Sequence, residues 1–397
     1  MSPARPTPAR ARSTACRSAP APAAAYASWT TRRCPPRSTS AAAEPTHSRG
    51  CGVASRLRGK HDAHARTPRK HRAPPLSQES RVRCLVTGAA GFVGSSLSER
   101  LLALGHEVVG VDRFSDYYGR AYKEANLERL RDEPRFELQV HDLAECRMEP
   151  LLEGVEVVYH QAAQAGVRAS WGQSFETYLR DNLWATQRLL EALRGHRSVR
   201  KVVYASSSSV YGEAHELPMR EASATRPYSP YGVTKLAAEH LVELYRHNFG
   251  LAAASLRYFT VYGPRQRPDM GFHKFIEAGL DGRPIHLFGD GEQTRDFTFI
   301  ADIVEANIAA AADGVAGVFN IGGGSRVTLR EVLATIGELV GPLQIERQGR
   351  EAGDVLDTWA DVSRAAEVMN YAPQVALREG LAAQVAWHHE RRARLGR

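Results

Sequence analysis

The stretch VRCLVTGAAGFVGSSLSERLLALGHEVVGVD, from Val82 to Asp112, leaves this chain few folds to choose from. It joins a short β-branched run, a glycine turn, a segment of helical period and a second apolar run, which together make a βαβ unit. Gly88, Gly91 and Gly94 have the spacing GxxGxxG. The first permits a tight turn, the second lets backbone N–H groups approach a pyrophosphate, and the third lets the helix pack on the strand. Asp112 ends the second run, where a carboxylate accepts from a ribose 2′-hydroxyl.

That carboxylate repels a 2′-phosphate, so the turn predicts NAD rather than NADP, with Arg113 beside it softening the discrimination. Further strands are expected at Phe136–Val140, Val155–Tyr159 and Lys201–Ala205, with helical patterns between them such as Asn182–Leu193. Alternation of this kind predicts an α/β fold, a Rossmann-like doubly wound parallel sheet. Asp142 and Leu143 follow the third strand and are placed to frame the adenine. Ala162 and Ala163 follow the fourth, where small residues admit the dinucleotide.

The chain has 397 residues, 43% hydrophobic and 24% charged, with no run apolar enough to span a membrane. Its net charge of +8 is unevenly placed: residues 1–80 hold 15 Lys and Arg against 3 Asp and Glu, so the remainder is mildly acidic. The basic pI therefore does not argue for nucleic acid. Residues 1–80 are rich in Ala, Arg, Pro and Ser and poor in core formers, which predicts a disordered tail. It reads as an organelle transit peptide, a basic nucleic-acid arm, or upstream sequence translated from a start assigned too early, the last being favoured. A start near Arg81 needs a non-Met codon, as at Val82, because the next methionine after Met1 is Met148. Only Tyr26 and Trp29 are available in the tail to stack on bases, against the nucleic-acid arm.

Cys16, Cys34, Cys51, Cys84 and Cys146 make an odd count without CxxC spacing, as suits a reduced, cytoplasmic compartment. His61, Asp62 and His64 sit in the basic tail and are assigned no metal.

Tyr231 and Lys235, in SPYGVTK, lie four apart at the start of the amphipathic segment Tyr231–Tyr245, on one helix face. An ammonium near a phenol favours the phenolate and makes a usable base. One strand earlier, YASSSSVYG places Ser206–Ser209 at the carboxyl edge of the sheet, where open α/β sheets bind ligands.

TGAAGFVG, Asp112, the hydroxyl four residues before Tyr211 in SSVYG, and YxxxK together resemble the extended short-chain dehydrogenase/reductases of the nucleotide-sugar epimerase/dehydratase family. The likeness runs from Arg81 nearly to the C-terminus. It implies that Ser207 hydrogen-bonds a substrate hydroxyl, Tyr231 removes its proton, and Lys235 holds the phenolate and the nicotinamide ribose. Phe92 and Val93 are implied as further NAD contacts. LRYFTVYGPRQRPDM resembles the segment that wraps the sugar, and FGDGEQTRDF the one whose Arg295 reaches the diphosphate. A salt bridge of Arg295 to Asp296 or Asp302 is the plainer alternative. GDVLDTWAD resembles the nucleotide-ribose motif, with Asp354 as partner of the uridine ribose.

Dehydratases and UDP-glucuronate decarboxylases of the family carry acidic residues where this chain has Ser208 and Ser209, so the resemblance implies epimerisation. QAGVRASWG, VYGPRQRPDM and TWADVSRA look most like bacterial UDP-glucuronate 4-epimerases, and Thr260 stands where UDP-galactose 4-epimerases have Asn. Ser208, Ser209, Thr260 and Arg267 are expected to hold the sugar carboxylate. Fixing it out of line with the carbonyl π system of the 4-keto intermediate suppresses decarboxylation. Arg168 is left between cofactor phosphates and a loop cap.

The expected function is NAD-dependent 4-epimerisation of UDP-glucuronate to UDP-galacturonate. A UDP-glucose/UDP-galactose 4-epimerase is the runner-up, and a non-catalytic NAD-sensing regulator the alternative from another class. The NAD domain is expected at 81–260 with 297–326 returning to it, and a smaller discontinuous substrate-binding portion at 261–296 and 327–397. The resemblance also implies a homodimer through surface helices. No nucleic-acid or membrane partner is expected.

Overall fold

The computed structural model describes residues 81–349, 353 and 355–396. The readings made of residues 1–80 and of Asp354 lie outside them. The first half alternates strand and helix: β1 (Arg83–Thr87), α1 (Phe92–Ala103), β2 (Glu107–Val111), α2 (Arg120–Asn126), β3 (Phe136–Gln139) and β4 (Val157–His160). After α3 (Phe175–Tyr178) a π-helical stretch, Leu179–Trp184, leads into α4 (Ala185–Leu193), then β5 (Lys201–Ser207), α5 (Pro230–Phe249) and β6 (Ala253–Tyr258).

These strands pair in parallel in the order β3-β2-β1-β4-β5-β6, and a seventh, β11 (Gly317–Ile321), adds beyond β6. The order reverses between β1 and β4, so the loops leaving their carboxyl ends diverge and open a crevice. Successive side chains of β1 explain the layering. Cys84 and Val86 join the core that α1 and α7 (Ile300–Ala310) cover, whereas Leu85 joins the one under α4 and α5. A sheet covered on both faces uses continuous apolar runs, and β4 (VVYH) is buried at every position.

The second half supplies β7 (Val261–Tyr262), α6 (Gly271–Leu280), β8 (Ile285–Phe288), β9 (Thr294–Asp296), β10 (Thr298–Phe299), α7 (Ile300–Ala310) and β11 (Gly317–Ile321). It ends with β12 (Arg326–Thr328), α8 (Leu329–Val340), β13 (Ile345–Gln348), α9 (Ser363–Met369) and α10 (Leu377–Arg394). Ile300 and Ile303 of α7 pack into the first core, and β11 pairs with β6. Elements on either side of that segment share a separate core, with Phe272 and Ile276 from α6, Val332 and Ile336 from α8, and Leu381 and Val385 from α10. Among the described residues no helix is long and apolar enough to cross a membrane.

Several boundaries differ from expectation, three of them for reasons visible in the structure. β4 begins at Val157 rather than Val155, whose N–H bonds back to Leu152 O at 3.1 Å in the preceding turn. β5 runs on through Ser206 and Ser207 because these pair in register with Arg257 and Tyr258 of β6. The helix expected from Asn182 starts earlier, and Asn182 itself lies in the wide π stretch.

Candidate active site

The crevice is a cavity of about 460 Å3 whose lining includes Gly88, Gly91, Gly94, Phe92, Val93, Asp112, Asp142, Leu143, Ala162 and Ala163 at one end. Ser207, Ser208, Ser209, Tyr231, Lys235, Thr260 and Arg267 line the other. All but two of the predicted site residues are thus gathered in one space. Arg295 is outside this lining, donating to the backbone carbonyls of Thr294 and Leu356 at 2.8 Å and Val355 at 2.6 Å. Asp354 is outside the described residues.

The glycine turn is built for close approach. Gly88 has φ +69°, and a Cβ there would stand 2.9 Å from the Ala162 backbone. A Cβ on Gly94 would stand 2.1 Å from Gly88 O, and one on Gly91 3.0 Å from the same oxygen. No side chain caps α1 at Gly91, so its first amide groups are available to an anion. These features fit a pyrophosphate.

At the ribose end, Asp112 is buried and accepts from the Ala90 and Phe114 N–H groups at 3.2 and 2.7 Å and from Lys123 Nζ at 3.0 Å. Arg113, expected to act beside Asp112, instead donates to Asp142 at 3.1 Å and to Asp181. Burial alone raises the Asp142 carboxyl, but hydrogen bonds from Arg180, the Ala144 N–H and Arg113 bring it below the ordinary value. Lys123 was invisible to motif reading because it comes from α2, eleven residues after Asp112 with no spacing rule to find it.

At the chemical centre, Ser207 ends β5 and its Oγ accepts from the Ser209 N–H at 3.1 Å. α5 starts at Pro230 under a Ser229 cap, whose Oγ accepts from the Gly232 N–H at 3.1 Å, and this directs Tyr231 and Lys235 into the cavity. Burial raises the Tyr231 phenol, against a Ser207 hydrogen bond and the Arg267 charge, which lower it. Burial brings the Lys235 ammonium down to about 7, opposed by Glu239. Ser207 and Arg267 thus favour the ionised phenol against burial. Lys235 rests over the Tyr204 ring, 4.8 Å from its centroid.

Arg267 holds Asp269 through two parallel bonds of 2.9 and 3.0 Å, and Tyr117 OH donates to the same carboxylate at 3.1 Å. Burial raises the Asp269 carboxyl, but Arg267 outweighs it and keeps the group ionised. Asn182 accepts from the Gln164 N–H at 2.7 Å and donates to Thr234 Oγ1 at 3.0 Å, tying the π stretch to the floor of the cavity. Asp269 sits in the VYGPRQRPDM stretch singled out above, but its pairing with Arg267 was not read there, and Asn182 carried no motif signal. Arg168 stacks on Phe288, 4.2 Å from the ring centroid, and is outside the cavity lining. His273, Glu277 and His388 bring ligand-type atoms within 4.8 Å of one another outside that lining, with Arg392 bonded to the same glutamate at 3.1 Å.

A parallel sheet of this order, a glycine cradle at its switch point and a Ser/Tyr/Lys group beyond it define a dinucleotide-dependent α/β enzyme. The model of the NAD dependent epimerase/dehydratase family matches residues 84–322, and the chain belongs to that family. It is 43% identical over 310 residues to an uncharacterized UDP-glucose epimerase of Bacillus subtilis, covering 77% of this chain and 98% of that one. A UDP-glucuronate 4-epimerase of Thermodesulfobacterium geofontis is 37% identical over 311 residues, 77% of this chain and 96% of that one. The crystal structure of UDP-glucuronic acid 4-epimerase from Bacillus cereus, in complex with UDP-glucuronic acid and NAD, is 40% identical, with a TM-score of 0.76. That match covers 78% of this chain and 99% of the other.

Proposed function

We propose that this protein is an NAD-dependent 4-epimerase interconverting UDP-glucuronate and UDP-galacturonate. The observation that carries the reading is Arg267, which lines the same cavity as Ser207 and Tyr231 and brings a cation to the sugar end of an NAD site. The Bacillus cereus complex supports it.

NAD, when bound, would supply the acceptor and donor for the hydride exchanged at the sugar's carbon 4. Ser207 Oγ holds the 4-hydroxyl, and its proton passes to the Tyr231 phenolate oxygen and back. Lys235, at the foot of the cavity, holds the nicotinamide ribose. Asp112 accepts from the adenosine ribose, and the α1 amides at Phe92 and Val93 receive the pyrophosphate. Ser208, Ser209, Thr260 and Arg267 hold the substrate carboxylate away from alignment with the 4-keto group, which keeps the carbon–carboxyl bond intact. Asp269 is held ionised by Arg267, so it does not serve as an acid for expelling a substituent. Arg295 and Asp354 are assigned the diphosphate and the uridine ribose.

The test incubates the protein separately with UDP-glucuronate, UDP-glucose and UDP-xylose and resolves products by chromatography with mass detection. Conversion of UDP-glucuronate alone to an isomer of equal mass is expected. The likeness to the uncharacterized UDP-glucose epimerase of Bacillus subtilis favours a second reading, a UDP-glucose/UDP-galactose 4-epimerase, which faster turnover of UDP-glucose would select. Loss of carbon dioxide would refute the carboxylate-holding role.

A homodimer is inferred from apolar side chains exposed on adjoining elements: Leu179 and Trp184 of the π stretch, and Val233 and Leu244 of α5. Light scattering at the peak of a gel-filtration run measures it. A cytoplasmic location accords with Cys84 and Cys146 as free thiols.

A further inference from the structure

Lys235 and Glu239 are one turn apart on α5, and both are buried, at 3% and 2% exposure. Glu239 uses both carboxylate oxygens. Oε2 accepts from Ser206 Oγ at 2.6 Å and Arg257 Nε at 3.0 Å, while Oε1 accepts from Arg257 Nη2 at 2.6 Å. Arg257 faces Ser206 across the β5–β6 pairing, and its Nη1 donates to Tyr211 OH at 2.7 Å. Tyr211 in turn donates to Asn320 of β11 at 2.6 Å. One carboxylate thus ties α5 to the last residues of β5, and the ion pair itself is fastened to β6 and β11.

Such a buried pair is a costly way to hold a helix on a sheet, since apolar packing does so at least as well. Its place explains it. Ser206 precedes Ser207, and Glu239 lies one turn below Lys235. Among the described residues, the other ionisable groups about Lys235 are His160 at the end of β4, Tyr204 on β5 and Tyr231 on α5. Burial lowers the His160 imidazole to about 3 and raises both phenols, and of these groups only Tyr231 becomes an anion, during the reaction itself. Glu239 is the anion that resists the effect of burial on Lys235.

We propose that Glu239 is a positioning residue for this reaction: it fixes the Ser206–Ser207 end of β5 against the Lys235 turn of α5 and keeps that lysine a cation beside Tyr231. The inference deepens the epimerase reading and rests on it.

The test uses the full chain with 13C at lysine Cε. Its six lysines make the spectrum tractable, and Lys235→Met assigns the resonance. Glu239→Gln keeps an acceptor and a similar shape while removing the charge. The Lys235 titration midpoint should then fall by about one unit or more. At pH 7.5, kcat for the epimerised UDP-sugar should fall by roughly tenfold or more with KM within about twofold. Glu239→Asp restores the charge and should return the midpoint toward wild type. Ser206→Ala should lower kcat with the midpoint unmoved. If Glu239→Gln fails to fold, Glu239→Asp and Ser206→Ala carry the test: a wild-type-like midpoint in the first with reduced kcat in the second supports the proposal. A midpoint unchanged in Glu239→Gln, or as low in Glu239→Asp as in Gln, overturns it, as does unchanged kcat in Ser206→Ala. Wild-type protein inert toward every UDP-sugar would sink the epimerase reading instead, and the titration, which needs no turnover, would still decide whether Glu239 sets the Lys235 charge.

Discussion

Gly94→Ala isolates the contribution of the glycine cradle. The added methyl would lie 2.1 Å from Gly88 O, 2.8 Å from Gly88 C and 3.0 Å from Ala89 Cα, all backbone atoms that no rotamer can move aside. Reaching ordinary van der Waals contact requires the start of α1 to back away from the turn by roughly 1 Å. Overpacking of this kind costs about 1–3 kcal/mol, which in a chain of this size lowers the melting temperature by about 1–5 °C. The same movement takes the Phe92 and Val93 amides out of register with the pyrophosphate, so NAD affinity should fall by about tenfold to a hundredfold. Calorimetric titration of NAD together with a melting curve reads both quantities. Gly105→Ala is the control: it has positive φ and nothing within 4 Å of a Cβ, so it costs backbone strain and leaves NAD affinity alone. Wild-type affinity in Gly94→Ala, or equal losses in the two variants, would refute the cradle argument.

Tyr231→Phe should reduce turnover by about a hundredfold to ten-thousandfold while UDP-sugar affinity, measured by equilibrium dialysis, stays within a few-fold, because only the proton acceptor is lost. Arg267→Lys keeps the charge but loses the fork, so kcat/KM for UDP-glucuronate should fall by about tenfold or more, and that for UDP-glucose by much less. Burial raises the Asp296 carboxyl to about 6, against hydrogen bonds from the Ala360 and Gly323 N–H groups. A raised carboxyl favours the folded state below the unfolded value near 3.8, and this benefit, about 2–3 kcal/mol, is lost as pH rises through 6. Asp296→Asn should therefore flatten the decline of unfolding free energy between pH 4 and 6 in urea titrations, and an unchanged slope would count against the assignment.

What could be read directly were features that live within one turn or one strand. The positions of Gly88, Gly91 and Gly94 and the Tyr231/Lys235 face all follow from local backbone geometry. The cavity gathers the residues so located. Strand ends were less legible, since β5 owes Ser206 and Ser207 to its pairing with β6, residues some fifty positions away.

Residue order alone thus defined the βαβ unit, the parallel sheet and the side chains offered to the crevice, because hydrogen-bond periodicity and the conformational freedom of glycine act over a few residues. The tertiary structure decided which charges meet. It set Lys123 against Asp112, turned Arg113 to Asp142 and Asp181, closed Arg267 on Asp269, and bound Glu239 to Arg257 and Ser206. It also set burial, which opposes ionisation of the Tyr231 phenol, against Ser207 and Arg267, which favour it. Ionisation and pairing depend on distance in space and on the exclusion of water, and neither is a property of position along the chain.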